Sequence, residues 1–243
     1  MECHEDAPPP ATMGPMQPLD WLLHARKHPS AVLLLVQLGG MVLYPFIEKT
    51  DVGRIGLGLL GIVVLIVTIG MVRRTPWLTG VSVGIALPAV VLLSLQMLQP
   101  LPQLLPWSSA LEALFYFYAA GSLIAYMMSD WQATTDELFA AAATFTLLAW
   151  GFAYLFLMVQ ALQPGCFSAA VNPEQPRSWT ELMFLSFALL SSTGIGDVIP
   201  ITPPARALAS VEMFVGVMYL AGVVSRLIGL TLIARRDDDA TRR

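Results

Sequence analysis

Long apolar runs alternate along this chain with short breaks made of polar residues and prolines. An α-helix rises about 1.5 Å per residue, so about 20 apolar residues are needed to cross about 30 Å of hydrocarbon. Six runs are of that order, and each predicts a transmembrane helix. They cover residues 31–47, 55–72, 77–98, 109–128, 138–162 and 205–234. We therefore expect an all-α membrane protein with six transmembrane helices.

A shorter apolar segment, about 179–191, lies between the fifth and sixth runs and is too short to span. Ser178, followed three residues later by Glu181, has the spacing of a capping box, which predicts a separate helix beginning at Trp179. Next comes the stretch 191–197, where two glycines alternate with hydroxyl and apolar residues and disfavour a helix. Irregular backbone at membrane depth is tolerated where it lines a watery path. We expect this stretch to form the wall of a pore.

Composition agrees with a membrane protein, since 56% of the 243 residues are hydrophobic and only 12% are charged. The net charge of −4 comes mainly from the tails and gives no reason to expect a nucleic-acid partner. Cys3 and Cys166 lie far apart and form no disulfide framework. Residues 1–20 are Pro-rich and acidic and do not begin like a signal peptide, so we expect the first helix to remain in the mature protein. We expect residues 1–30 to form a disordered tail and a juxtamembrane segment.

The basic residues predict the orientation. With six spans both termini share a side, and cytoplasmic loops carry an excess of Lys and Arg. The side of the termini would hold nine of the thirteen basic residues: Arg26, Lys27, Arg73, Arg74, Arg226, Arg235, Arg236, Arg242 and Arg243. The other side would hold Lys49, Arg54, Arg177 and Arg206. We therefore expect cytoplasmic termini, a glycine run near the outer face, and residence in the plasma membrane, which in a bacterium is the inner membrane.

The short helix, the run Ser192-Thr193-Gly194-Ile195-Gly196-Asp197 and the following Val198-Ile199-Pro200 resemble the pore loop of the potassium-channel superfamily. The likeness is to small bacterial channels of the two-helix pore type and extends over about residues 136–230. It implies a re-entrant pore helix and a filter loop between the fifth and sixth spans. Residues 192–196 would be the selectivity filter and Asp197 the outer mouth. The pore helix would present Glu181, Phe184, Phe187 and Ala188, and Gly216 would be an inner-helix hinge.

The residues support that interpretation physically. Potassium must exchange its water shell for oxygens, which a strip of backbone carbonyls provides when alternate residues adopt unusual φ angles. Gly194 and Gly196 supply these angles without steric cost, and the Ser192 hydroxyl would complete the innermost cage. The C-terminal end of the short helix carries a partial negative charge toward the cation path. One loop cannot surround an ion, so the resemblance implies a homotetramer in the lipid bilayer with K⁺ as its permeant ion.

The chain departs from the family pattern at several filter positions. Ser192, Thr193 and Ile195 replace the usual threonine, valine and aromatic residue. Phe184 stands where tryptophan is common, and Ala188 where a buried glutamate can occur. The usual aromatic brace cannot form, so we expect the carbonyls of residues 193–195 to be held mainly by apolar packing. Potassium selectivity is the favoured interpretation, and a broader monovalent-cation pore stays open.

Two residues of the last span have alternative interpretations. Gly216 either lets the inner helix bend or packs closely against a neighbour. Glu212 is an intramembrane carboxylate, which is either a modulatory site or a hydrogen-bonding partner of a neighbouring helix.

The fourth span carries no Lys or Arg between residues 107 and 128, and its Glu112 has capping-box spacing to Ser109, as Glu137 has to Thr134. A voltage sensor of the usual kind is therefore not expected. We predict a four-helix scaffold at 31–133, a pore domain at 134–234 and a short cytoplasmic tail at 235–243.

The leading hypothesis is a passive potassium-selective channel without a usual voltage sensor. The alternatives are a less selective cation channel, a non-conducting regulatory membrane subunit and, third, a secondary transporter. The sequence offers no catalytic constellation, and we expect neither an enzyme, nor a resident metal, nor a cofactor besides the permeant ion.

Overall fold

A computed structural model describes residues 29–47, 56, 61–64, 66, 76–98, 102–129 and 135–241, and most of these are helical. The long helices are α1 (Pro29–Ile47), α2 (Pro76–Leu98), α3 (Leu105–Ser129), α4 (Thr135–Leu162) and α6 (Pro203–Thr241). Between α4 and α6 lie the strand β1 (Phe167–Ala169), the short helix α5 (Trp179–Leu190) and the strand β2 (Val198–Pro200). A single 3₁₀ turn, Pro102–Leu104, leads into α3.

Four helices of the described chain are long and apolar enough to cross a membrane, which makes this a multi-pass membrane protein. Their spanning stretches are Pro29–Phe46, Pro102–Met128, Asp136–Leu162 and Pro203–Arg226. The predicted span at 77–98 forms the helix α2, and the predicted span at 55–72 lies mostly outside the described residues. The total of six spans therefore stays a prediction.

The predicted start of the fourth span was wrong. Helix α3 begins at Leu105, so Ser109 lies inside it and cannot form a capping box with Glu112. Pro106 explains the earlier start, because the fixed φ of proline suits the first turn of a helix and its missing N–H is not needed there. Glu112 is instead 4% exposed and hydrogen-bonds the Tyr154 side chain.

Two other boundaries differ from the pattern of apolar residues. Helix α4 begins at Thr135, one residue after the predicted cap Thr134, which lies outside the described residues. Helix α6 continues through Thr241, seven residues beyond the predicted span and into the segment predicted to be a tail. A helix that leaves the bilayer has no reason to end at its surface when good helix formers such as Ala and Arg follow.

A cluster of aromatic side chains joins the scaffold to the short helix. Tyr44 of α1 lies edge-on to Trp179, the first residue of α5, with ring centroids 5.1 Å apart. Trp150 of α4 contacts Trp179 at the same centroid distance, and Tyr116 of α3 packs at 5.6 Å from both Trp150 and Tyr154. All five rings are buried, so three long helices fix the beginning of α5.

Polar contacts hold α1 and α6 against α4. The Ser30 hydroxyl donates to Asp136 over 3.0 Å at the start of α1. Further along, the Thr146 hydroxyl lies 2.6 Å from Gln37 Oε1. On α6 the Arg226 guanidinium lies 3.4 Å from Glu137 Oε1. Buried polar groups need such partners, so these contacts define how the helices are placed along one another.

Candidate functional site

The short helix α5 begins with the predicted capping box. The Ser178 hydroxyl accepts from the Glu181 N–H at 3.3 Å, and Glu181 Oε2 accepts from the Ser178 N–H at 2.7 Å. The helix has 12 residues, or about 18 Å at the usual rise, so it is too short to cross a bilayer. Its existence, start and cap agree with the sequence-based expectation.

A buried arginine, Arg177, holds the loop that precedes α5, a role that its position in the sequence did not reveal. The Arg177 guanidinium donates to the carbonyl oxygens of Val171 at 3.3 Å and Asn172 at 2.5 Å, and to Glu181 Oε1 at 3.1 Å. Its main-chain N–H and C=O are both bonded to the Gln160 side-chain amide, at 2.8 and 2.9 Å. The loop and the N-terminal end of α5 are therefore tied to α4.

After α5 the backbone alternates in an unusual way. Ser192, Gly194 and Gly196 have φ angles of +60°, +57° and +76°, whereas the intervening Thr193 and Ile195 do not have positive φ. A left-handed conformation is free for glycine and costs a residue with a side chain roughly 1–2 kcal/mol. The expectation that alternate residues take unusual angles thus agrees with the geometry, and Ser192 adopts one in addition to the two glycines.

Polar bonds tether this stretch to the end of α5. The Gly194 N–H donates to the Ala188 carbonyl at 3.0 Å, and the Thr193 hydroxyl lies 3.2 Å from the same oxygen. The Ser191 hydroxyl donates to the Phe187 carbonyl at 2.6 Å and lies 2.8 Å from the Thr193 hydroxyl. The expectation that residues 193–195 are held mainly by apolar packing did not include these bonds.

The aromatic brace is absent, as expected from the residue types. Ile195 is 65% exposed and Phe184 is 42% exposed within the single chain. A cavity of about 130 Å³ lies between α5 and the stretch after it. Its lining includes Phe184, Ala188, Gly194, Gly196 and Asp197. Small residues thus leave space behind the irregular stretch.

The two short strands anchor the chain beyond Asp197. Strand β2 pairs antiparallel with β1, so that Val198 lies opposite Ala169. The Asp197 carbonyl accepts from the Ala170 N–H at 3.3 Å, and the Cys166 carbonyl accepts from the Ile201 N–H at 2.9 Å. Cys166 itself is buried, which raises the pKa of its thiol. The sequence did not predict the strands β1 and β2, because strands of three residues have no detectable period.

Two of the contacts between helices α6 and α5 involve residues that the sequence had singled out, and they lie one turn apart on each helix. Glu212, fully buried, bonds the Ser186 hydroxyl near the middle of α5. Gly216 packs against Leu190, the last residue of α5, whose carbonyl oxygen would lie 2.1 Å from any added Cβ. For both residues the structure shows one of the two interpretations left open by the sequence. Glu212 hydrogen-bonds a neighbouring helix, and Gly216 is a point of close packing. Phe187, on another face of α5, lies 6.0 Å from the Phe145 ring of α4.

The family comparison identifies this region. Residues 142–232 match the family model described as "Ion channel", a two-transmembrane-helix pore family of the potassium-channel superfamily. The match begins within α4, includes α5 and the irregular stretch, and ends within α6. The resemblance seen in the sequence is therefore confirmed over this part of the chain. No curated protein and no solved structure matches the chain.

Proposed function

We propose that this chain is one subunit of a homotetrameric channel through which potassium ions pass passively. Residues 192–196 would be the selectivity filter and Asp197 the acidic residue at its outer mouth. The observation that carries this proposal is the alternation of left-handed backbone at Ser192, Gly194 and Gly196 directly after a capped 12-residue helix. Alternation of this kind is the backbone feature that a strip of inward-facing carbonyls requires.

The helix before the filter supports the same role. The C-terminal end of an α-helix carries about half a negative charge, which attracts cations over its last turn. Helix α5 ends at Leu190, and the Ser192 and Gly194 N–H groups bond to its last carbonyls. Its end therefore lies directly beside the proposed filter.

The tetramer is proposed because one filter loop cannot surround an ion. Helix α6 supports an assembly, since only 17% of its spanning stretch is buried within the single chain. Many of its exposed side chains are large and apolar, and these are Val211, Met213, Phe214, Val217, Met218, Leu220, Val224 and Ile228. Partner copies and lipid would cover these side chains. In this arrangement residues 134–234 form the pore domain, residues 31–133 form the scaffold, and both termini are cytoplasmic.

Ion flux into liposomes that contain only this protein tests the proposal. We expect steady, uncoupled potassium uptake by the parent chain and its loss in Gly194→Ala, because a Cβ at φ +57° strains the proposed filter. Gly121→Ala is the matched control, since Gly121 lies exposed on α3 with no atom within 4 Å of an added Cβ. A folded tetramer without flux would favour the non-conducting regulatory subunit.

A less selective monovalent-cation channel is the second candidate. It is favoured by the cavity of about 130 Å³ behind the filter and by the absence of an aromatic brace at Ile195 and Phe184. Selectivity depends on how well the carbonyl cage keeps its size or field strength. The reversal potential under opposed potassium and sodium gradients separates the two candidates.

A further inference from the structure

A polar contact joins three helices deep inside the chain. Ser186 of α5 lies between Glu212 of α6 and the main-chain carbonyl of Ala149 on α4. Its Oγ is 2.8 Å from the Ala149 oxygen and within hydrogen-bond distance of Glu212 Oε1. All three residues are 0% exposed within the single chain. The contact therefore needs no second copy to be buried.

The number of hydrogens available for these two hydrogen bonds determines whether Glu212 must be protonated. A serine hydroxyl carries one hydrogen, a main-chain carbonyl carries none, and an ionised carboxylate only accepts. With Glu212 ionised, Ser186 could donate its one hydrogen either to Glu212 or to the Ala149 carbonyl. At the other contact two oxygen acceptors would then face each other with no hydrogen between them. With Glu212 protonated, its O–H donates to Ser186, and Ser186 donates to Ala149. Only the protonated acid satisfies both contacts at once.

The surroundings of Glu212 agree with a neutral group. Among the described residues Arg177 pairs with Glu181 and Arg226 pairs with Glu137, and no ion pair involves Glu212. Within the same residues the second oxygen, Oε2, is buried and has no hydrogen-bond partner. A buried carboxylate without a cation is far more costly than a buried carboxylic acid with a hydrogen bond.

The contact is also close in sequence to the proposed filter, because it holds the helix that leads into it. Ser186 and Leu190 are one turn apart on α5, and Glu212 and Gly216 are one turn apart on α6. Ser186 contacts Glu212, and Leu190 contacts Gly216. The Glu212 contact thus fixes the middle of α5, and the Gly216 contact fixes its end. Ser192, where the left-handed alternation starts, is two residues beyond Leu190.

We propose that Glu212, as a neutral carboxylic acid, is a positioning residue for ion selectivity. It holds α5 through Ser186 and so keeps the filter carbonyls in place, in a chain that lacks the aromatic brace. This inference rests on the proposed channel function. It assigns Glu212 a definite role, in place of the unspecified modulatory one.

The test compares three variants in liposomes under potassium and sodium gradients. Glu212→Gln keeps a neutral donor of the same length, so we expect its permeability ratio to stay within about twofold of the parent's. Glu212→Ala leaves Ser186 without its donor, and the ratio should fall by about tenfold, the equivalent of one net buried hydrogen bond. Glu174→Ala, in an exposed loop, is the control and should change nothing.

A further variant separates positioning from stability. In Ser186→Ala with Glu212→Met both polar partners are replaced by apolar groups, which is often nearly neutral for folding. We expect a folded assembly with the low selectivity of Glu212→Ala. Equal selectivity of this double variant and the parent would overturn the proposal, and so would a Glu212→Gln variant as unselective as Glu212→Ala.

Infrared spectroscopy tests the protonation without any conduction. The difference spectrum of the parent minus Glu212→Gln should contain the carbonyl stretch of a protonated carboxylic acid. A carboxylate band in its place overturns the inference even if the protein conducts. The acid band in a protein that conducts no ions would instead contradict the channel function and leave the contact intact.

Discussion

Gly216 packs directly on the main-chain carbonyl of Leu190, so that helix α6 crosses α5 at the residue where α5 ends. A Cβ at position 216 would lie 2.1 Å from the Leu190 oxygen and 2.8 Å from its Cα. Main-chain atoms cannot rotate away as a flexible side chain can. The glycine is therefore required by close packing, whatever bending it also permits.

We predict that Gly216→Ala lowers the free energy of unfolding by about 1–3 kcal/mol or more, the cost of overpacking a tight contact. Thermal unfolding in detergent measures the change. Gly222→Ala on the same helix is the matched control, since nothing lies within 4 Å of its added Cβ and alanine favours a helix by up to about 1 kcal/mol. Unchanged stability of Gly216→Ala with altered channel opening would instead support a hinge.

Arg177 should be the most sensitive charged residue of the loop before α5. We predict that Arg177→Ala lowers the free energy of unfolding by about 2 kcal/mol or more, because several charge-assisted hydrogen bonds of a buried guanidinium are lost. Arg206→Ala is the matched control, as Arg206 is exposed and donates to the Pro200 carbonyl at 3.1 Å, and should shift stability by less than about 0.5 kcal/mol. Equal melting temperatures for the two variants would contradict this role.

Conduction should depend only weakly on voltage. Helix α3 carries no Lys or Arg along its 25 residues, so its displacement moves no positive charge through the field, where each charge is worth about 2.3 kcal/mol per 100 mV. Current relaxations after voltage steps measure the dependence. A steep sigmoidal opening curve would mean that a sensor lies elsewhere in the chain.

Local signals predicted the site better than the scaffold. The Ser178–Glu181 capping box was predicted correctly because both partners belong to one helical turn. The same spacing led to a wrong prediction at Ser109 and Glu112. Residues 109–112 do not themselves show that the helix has already begun at Leu105, with Pro106 in its first turn. Spacing alone does not distinguish a cap from two residues inside a helix.

The contacts that join α5 to α6 were outside the reach of sequence reasoning. Ser186 and Glu212 are 26 residues apart, and their meeting depends on where two helices cross. From the sequence, Glu212 was either a modulatory site or a hydrogen-bonding partner of a neighbouring helix, and Gly216 was either a hinge or a point of close packing, but the residues that they meet could not be named. Arg177 gave a weaker signal, its spacing of four residues to Glu181, which is compatible with many surface ion pairs.

The proposed filter should be softer than one with an aromatic brace. Ile195 cannot donate a hydrogen bond, Phe184 offers no indole N–H, and a cavity of about 130 Å³ lies behind the stretch. The bonds from Thr193 and Gly194 to Ala188 hold only its inner part. We therefore predict a measurable sodium leak when potassium is absent.

Adding the brace should sharpen discrimination. Ile195→Tyr together with Phe184→Trp should raise the potassium-to-sodium permeability ratio by more than the two single changes combined, because contacting residues couple by about 0.5–3 kcal/mol. Reversal potentials of the parent, both single variants and the double variant measure this coupling. Val171→Tyr, at a comparably exposed position in the loop before α5, is the control and should leave the ratio unchanged. If the parent already excludes sodium and the double change has no effect, other contacts keep the carbonyls in place and the softness predicted from Ile195 and Phe184 is wrong.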